Sequence, residues 1–335
     1  MTYIKNYIHA HTKSPREMII FVTNKCNAKC KHCFFWKELN YDMEEMTIEQ
    51  FKKIANQLNL DYLNLTGGEA FLRDDIVEIC KAFNGHTKTV FIPTNGLMTK
   101  RILKLVKEIK NSCDFNLCIE VSIDGLKETH DKIRGIPIFD SAIETIKQLK
   151  DITQVSVLTT ATGLNYKELN ELAEFIDSLG VKQGISIIRG NPRDPKANIP
   201  LDKIDEVERI VTNLCEKYMP ESTTKERLAK ELKMKSIKYS IHFLKGHNKK
   251  LVPCLAGRDI GVIFPNGDVA FCEMTNPIGN LKESNFNFNK TWNSDIANAR
   301  RKNMKECYCI QECFLAPSIL YNFRVFSHAA WRSIC

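Results

Sequence analysis

The chain has 335 residues, 43% of them hydrophobic and 26% charged, with a formal net charge of +8. That is room for one large domain and a smaller unit in an ordinary globular composition. It contains no apolar run of the ~18 residues that a membrane-spanning helix needs, and its first residues lack the apolar core of a signal peptide. The basic residues are scattered, with no basic stripe or helix-turn-helix signature, so nucleic acid is not an expected partner. The positive balance is compatible with an anionic substrate. Thirteen cysteines without a secretion signal point to reduced thiols or metal ligands, and to a cytoplasmic setting.

In chain order, the first strand-like run is 18–23, followed at once by CNAKCKHC, which holds Cys26, Cys30 and Cys33. Five more strand-like runs follow at 62–65, 89–92, 118–123, 155–160 and 185–188. Amphipathic segments near 47–59, 74–83, 98–110, 140–150 and 165–179 lie between them, the first with Thr47 and Gln50 spaced as a capping box. Repeated strand–helix units predict an α/β fold with a parallel sheet and helices outside. Residues 191–250 begin with a Pro-rich connection and read as a bridge or lid of two or three charged helices. Residues 251–335 form a further cysteine-rich unit, where the runs at 260–264 and 269–272 flank the turn Pro265-Asn266-Gly267-Asp268, a hairpin signal. Residues 289–304 read as a helix, and the aromatic tail 314–335 as a helix or cap. The expected units are therefore 1–190, 191–250 and 251–335.

Three thiolates spaced C-x3-C-x2-C on one loop can hold three corners of a cubane iron–sulfur cluster. The next cysteine, Cys80, lies well downstream on an expected helix, so one metal corner stays open for chemistry. Zinc sites more often use paired C-x2-C units. Thr66-Gly67-Gly68-Glu69 ends the second strand; its glycines allow close backbone approach, and its carboxylate can accept from an ammonium group. Thr94-Asn95-Gly96 follows the third strand and reads either as a turn or as a ligand contact. Ser122 and Asp124 open the run SIDGLKETHDKIRG, which also holds His130 and Arg134. Thr160, Asn165 and Arg189 lie at or after the next two strand ends. Asn165 can equally cap the following helix, and Arg189 can face the cavity or bridge to the lid.

The cysteine loop with GGE one strand later resembles the radical S-adenosylmethionine (radical SAM) family, and SIDGLKETHDKIRG resembles its SPASM and twitch subfamily. The resemblance implies a partial (β/α)6 TIM-like barrel, with the active site at the C-terminal ends of the strands. It implies a [4Fe–4S] cluster on Cys26, Cys30 and Cys33, with S-adenosylmethionine on the open iron. Gly67, Gly68 and Glu69 would then orient the SAM amino group and Asn95 would add a further contact. Ser122 and Asp124 would meet the ribose hydroxyls, and Arg134 the carboxylate.

A second cysteine group follows. Cys254, Gly267 and Cys272 make C-x12-G-x4-C, and Cys307, Cys309 and Cys313 make C-x-C-x3-C. Six cysteines lie beyond residue 250, too few for two fully ligated clusters, so one auxiliary [4Fe–4S] cluster is expected. The first half resembles the opening of the SPASM/twitch pattern. The second half departs from it, which leaves open which two of Cys307, Cys309 and Cys313 bind. A structural zinc site is the alternative use of these thiolates. By the same resemblance Glu273, beside Cys272, is a general-base candidate; an exposed hairpin glutamate is the other reading.

The expected function is a radical SAM enzyme, an oxidoreductase by class, served by a flavodoxin- or ferredoxin-type electron donor. Seventeen residues before the first strand are too few for a peptide-binding domain, which favours a small molecule such as a sugar, alcohol or natural-product intermediate. A maturase of ribosomal peptides is the enzyme alternative. A metal-stabilised binding or electron-carrier protein is the alternative of another class, and GGE and the SIDG run count against it.

Overall fold

The computed structural model describes residues 14–247, 249, 251–304 and 312–334. Six parallel strands, β1 (Glu17–Thr23), β2 (Leu60–Gly67), β3 (Thr87–Thr94), β4 (Asn116–Ser122), β5 (Gln154–Ala161) and β6 (Lys182–Ile187), lie in sequential order across one sheet. The helices α1 (Ile48–Ala55), α2 (Ile76–Ala82), α3 (Thr99–Ser112), α4 (Lys127–Arg134), α5 (Phe139–Leu149) and α6 (Leu169–Ser178) fill the connections. This is the expected α/β partial barrel, with each strand starting one to three residues before its apolar run and β4 and β6 ending one residue short of theirs. Ladder hydrogen bonding continues into the polar ends of β2 and β3, where hydropathy carries no signal.

The strand pattern records which face does what. In β5, Val155, Val157, Thr159 and Ala161 are buried against the outer helices, while Ser156, Leu158 and Thr160 on the other face are partly exposed. A period of two puts the second set on the concave side. On α1, Phe51, Ile54 and Ala55 are buried, and the Gln50 side chain accepts from the Thr47 N–H at 3.0 Å, as the sequence predicts. Helix α4, inside the SIDGLKETHDKIRG run, was not among the amphipathic segments read from sequence. It is short, and its mean character is polar because only His130, Ile133 and Arg134 turn inward.

The sheet does not stop at β1. Strand β7 (Ile260–Ile263) pairs parallel to it, with Ile19 opposite Val262, and β8 (Asp268–Ala270) and β9 (Gly279–Asn280) add antiparallel. The hairpin read from Pro265–Asp268 is present, but it extends the barrel sheet. Gly261 makes this junction possible: a Cβ there would lie 2.7 Å from the Trp292 ring and 3.1 Å from the Met18 sulfur. Helices α7 (Ile204–Tyr218) and α8 (Thr224–Leu244) build a second apolar cluster on Ala161 and Ile187, using Val207, Val211, Ile237 and Ile241. The helix expected over 289–304 is two pieces, α9 (Phe288–Trp292) and α10 (Asp295–Asn303). Ser294 breaks it by accepting from the Ala297 N–H at 3.2 Å as a new N-cap. The tail forms α11 (Glu312–Leu320) and α12 (Phe323–Ile334) against α8. Among the described residues no helix is long and apolar enough to cross a membrane.

A buried clamp joins β1, β2 and β7 at the end of the sheet away from the cysteines. Arg16 holds Asp259 bidentately, at 2.9 and 3.2 Å, and reaches Asp61 at 3.3 Å. Removing one member strands the other as a buried charge. Asp259→Ala is therefore expected to cost about 3 kcal/mol, at the lower end for a broken buried pair because Asp61 remains. The expected readout is a lower urea midpoint with an unchanged m-value.

Candidate active site

The loop after β1 is held by polar contacts that converge from four directions. Thr23 Oγ1 donates to Glu45 at 2.6 Å, and the Asn24 N–H donates to the same oxygen at 2.8 Å. Asn40 accepts from the Cys26 N–H at 2.9 Å and donates to the Cys26 carbonyl at 3.1 Å. The Lys29 and Lys31 N–H groups donate to the carbonyls of Arg134 and Ile133, at 3.0 and 2.8 Å. The last contacts explain Gly135: it ends α4 at φ +73°, and a Cβ there would lie 2.8 Å from the Lys29 carbonyl oxygen.

Gly67 and Gly68 lie under this loop. A Cβ on Gly68 would stand 2.1 Å from the Lys25 carbonyl oxygen and 2.8 Å from the Cys26 Cβ. Gly67 at φ +147° would clash with the Thr23 carbonyl at 2.3 Å. The chain thus needs glycine at both positions to bring β2 against the cysteines. Glu69 turns the other way. Its carboxylate accepts from the Asn95 N–H at 2.8 Å, the Thr94 hydroxyl at 2.9 Å and the Phe71 N–H at 3.3 Å. Burial raises its pKa against these hydrogen bonds. Asn95 in turn donates from its side chain to Asn27 at 2.7 Å, between the first two cysteines. Glu69 and Asn95 therefore brace the loop from behind.

Asp124 is fully buried. Its carboxylate meets Arg134 at 2.6 Å and accepts from the Thr160 N–H at 3.0 Å, while His32 Nδ1 lies 3.7 Å away. Burial alone would raise its pKa; Arg134, the two histidines His32 and His130, and the Thr160 N–H hold it below the usual carboxylate range. Burial pushes both His32 and His130 down to about 4, with Arg134 adding to the effect. His130 is consequently neutral at pH 7, and its Nδ1 accepts from the Asp124 N–H at 3.0 Å. Arg134 also donates to the Cys30 sulfur at 3.6 Å. Asn165 does not cap the next helix with its side chain; it donates to the carbonyls of Asp124 and Thr160, at 2.6 and 2.8 Å.

A cavity of about 220 Å³ opens over these groups at the C-terminal ends of the strands. Cys26, Cys30 and Cys33 line it together with Gly67, Gly68, Ser122 and Arg134. Thr160, Arg189 and Glu273 complete its far side. Glu69, Asn95 and Asp124 are not among its lining residues. The model for the radical SAM superfamily matches residues 20–179, from within β1 to the end of α6, which include the three cysteines, Gly67, Gly68, Ser122, Arg134 and Thr160 of this cavity.

Residues 20–179 form a radical SAM domain. The chain is 34% identical over 172 residues to AlbA, the antilisterial bacteriocin subtilosin biosynthesis protein of Bacillus subtilis, a match covering 48% of this chain and 36% of AlbA. It is 29% identical over 272 residues to a probable GTP 3′,8-cyclase of Saccharolobus islandicus, covering 78% of each. Its fold is like that of Streptococcus suis SuiB, with a TM-score of 0.64 at 14% identity over 90% of this chain and 71% of that one. It is equally like anSMEcpe, with a TM-score of 0.64 at 15% identity over 87% and 83% of the two chains.

The donor set fits the [4Fe–4S] cluster and SAM of a radical SAM domain. Burial pushes the Cys26 thiol up to about 12 and the Cys33 thiol to about 11, with the neighbouring cysteines adding to the shift, and the positive charge of a bound metal centre would favour the thiolates. Arg134 Nε and His32 Nδ1 are buried without a hydrogen-bond partner among the described residues. Both belong to side chains lining the cavity, polar capacity that the protein leaves for a ligand. Sequence reasoning passed over His32, Phe34, Phe35 and Ser186, which also line it. The signal for His32 was available in its position between Cys30 and Cys33.

Around the second cysteine group, Cys254 and Cys313 are half-buried and Cys272 is buried. The Leu255 N–H donates to Ser318 of α11 at 3.0 Å, and a Cβ on Gly257 would fall 2.5 Å from the Phe271 ring. The segment after Cys254 thus touches both the helix that carries Cys313 and the neighbour of Cys272. Cys307 and Cys309 lie outside the described residues. Gly68 offers the sharpest test of the first site. Gly68→Ala is expected to displace the cysteine loop and lower iron by about four per chain after anaerobic reconstitution, with an unchanged far-UV circular dichroism spectrum.

Proposed function

We propose that this radical SAM enzyme abstracts a hydrogen atom from a peptide segment that reaches the cavity from outside. The observation that carries this reading is a second, larger groove of about 470 Å³ that shares Phe34, Phe35 and Glu273 with the cluster cavity. The likeness to AlbA, a bacteriocin biosynthesis protein, supports it. The likeness to a GTP 3′,8-cyclase would instead favour a nucleotide. A triphosphate needs cationic partners, and the groove has Glu38, Asp268 and Glu273 among its lining residues and, among the described residues, no lysine, arginine or histidine. That charge pattern also counts against the anionic substrate that the net charge of +8 allowed.

In this reading Cys26, Cys30 and Cys33 hold the cluster, and Gly67, Gly68, Ser122, Thr160 and Arg134 hold SAM. Glu69, Asn95 and Asp124 position those residues from behind. When bound, the cluster and SAM supply a 5′-deoxyadenosyl radical on accepting an electron from a flavodoxin- or ferredoxin-type donor. Cys254 and Cys272, with two of Cys307, Cys309 and Cys313, hold the auxiliary cluster. Glu273 is the proposed base. Its side chain is only 5% exposed, and burial raises its pKa while Arg189 at 3.5 Å opposes the rise, which suits a group that takes a proton.

Anaerobic reconstitution, reduction and addition of SAM are expected to yield 5′-deoxyadenosine. The wild type should bind about eight irons and the variant with Cys26, Cys30 and Cys33 all changed to Ala about four, with no product. Absence of 5′-deoxyadenosine at full iron loading would sink the enzyme reading. Consumption of added GTP would replace the peptide by a nucleotide, and zinc in the residual site would make the second group structural.

A further inference from the structure

The outer groove has a chemistry of its own. One wall is the segment that follows Cys33, with Phe34, Glu38 and Met43; the other is the β7–β8 hairpin and the turn after it, with Phe264, Asp268 and Met274. The walls are apolar and adaptable, for Met274 is 48% exposed. The charges set into them are all of one sign, in a chain whose net charge is +8. Asp268 accepts from the Asn266 and Asn280 amides, both at 2.8 Å, which orient its carboxylate without neutralising it. Glu38 is exposed and has no ion-pair partner among the described residues. Arg300 of α10 is turned onto the carbonyls of Asn276 and Pro277.

The groove and the cluster cavity meet at a throat lined by Phe34, Phe35 and Glu273. Arg189 stacks over the Phe34 ring at 4.9 Å and meets Glu273 at 3.5 Å. Gly190 passes beside them at φ +71°, where a Cβ would stand 2.9 Å from both the Met274 methyl carbon and the Phe34 Cβ. The Glu273 charge is thus answered at the throat by Arg189, and among the described residues the charges of Glu38 and Asp268 are met by no cation on the groove wall.

We infer that this groove docks a peptide segment in which a lysine or arginine side chain lies beside an apolar one, with Glu38 and Asp268 meeting the cation outside the Arg189–Glu273 throat. The inference rests on the peptide reading above and adds the charge of the substrate. A long basic side chain suits the site because its methylene stem lies along apolar wall while its head reaches a carboxylate. Complementary charge of this kind sets partner choice and register more than raw affinity.

The test uses the full reconstituted chain with SAM and three fluorescein-labelled nonapeptides that alternate Phe with Lys, Gln or Glu, read by fluorescence anisotropy. The Lys peptide is expected to bind most tightly and the Glu peptide most weakly. Glu38→Lys is expected to weaken the Lys peptide about tenfold, or ~1.4 kcal/mol, and to strengthen the Glu peptide. That inversion distinguishes a charge contact from structural damage, which would weaken both. Equal affinities across the three peptides, or no inversion in the variant, would overturn the inference. So would lysine amide displacing the Lys peptide at equimolar concentration, since a free amine would then suffice. The 5′-deoxyadenosine assay on the wild type is independent of these outcomes, so failure of the docking inference and failure of the enzyme reading are told apart.

Discussion

The site depends on one buried ion pair. Asp124, at the end of β4 and wholly shielded from water, holds the Arg134 guanidinium at 2.6 Å. A charge in that position is costly unless its partner and its remaining lone pairs are supplied. The Thr160 N–H at the end of β5 satisfies the other carboxylate oxygen, at 3.0 Å. Arg134 closes α4, so the pair fixes where that helix ends and where its last carbonyls point. Those carbonyls receive the Lys29 and Lys31 N–H groups, and the same guanidinium reaches the Cys30 sulfur. The ends of β4 and β5, helix α4 and the cysteine loop are thereby held around one thiol.

A second brace works from the opposite side. Glu69 ties the end of β2 to the Thr94-Asn95 turn after β3, and Asn95 carries the connection on to Asn27 in the cysteine loop. Between the two braces the loop has little freedom, while the sulfurs, Arg134 and His32 still face the cavity. Rigid support behind a reactive loop is what catalytic geometry requires. It also separates two kinds of polar residue in the motifs: those that line the cavity, such as Arg134, and those turned onto the protein behind it, such as Glu69 and Asp124.

The C-terminal segment changes the picture of the barrel mouth. Because β7 pairs with β1, the hairpin carrying Asp268 and the following Glu273 becomes a wall beside the cysteine loop. The outer groove exists only through that junction. Its acidic, aromatic lining is assembled from residues more than two hundred positions apart, none of which forms a motif.

The amino-acid sequence by itself determined the strand–helix alternation, the cysteine spacing and the glycines beneath the loop. Each is a local property: a hydrophobic period, a chelate spacing or a backbone that tolerates no side chain. It also marked Ser122, Asp124 and Arg134 as one functional run. Only the tertiary structure decided that Ser122 and Arg134 line the cavity while Asp124 faces a buried guanidinium, because these contacts depend on where β4, β5 and α4 meet. Helix α4 escaped the sequence reading because three inward residues on a short polar helix make no clear period. The continuation of the sheet through β7 escaped it because strand pairing at long sequence separation is set by register and by space, here the space that Gly261 leaves for Trp292. The same long-range pairing made a groove of one charge sign on a protein whose composition has the other.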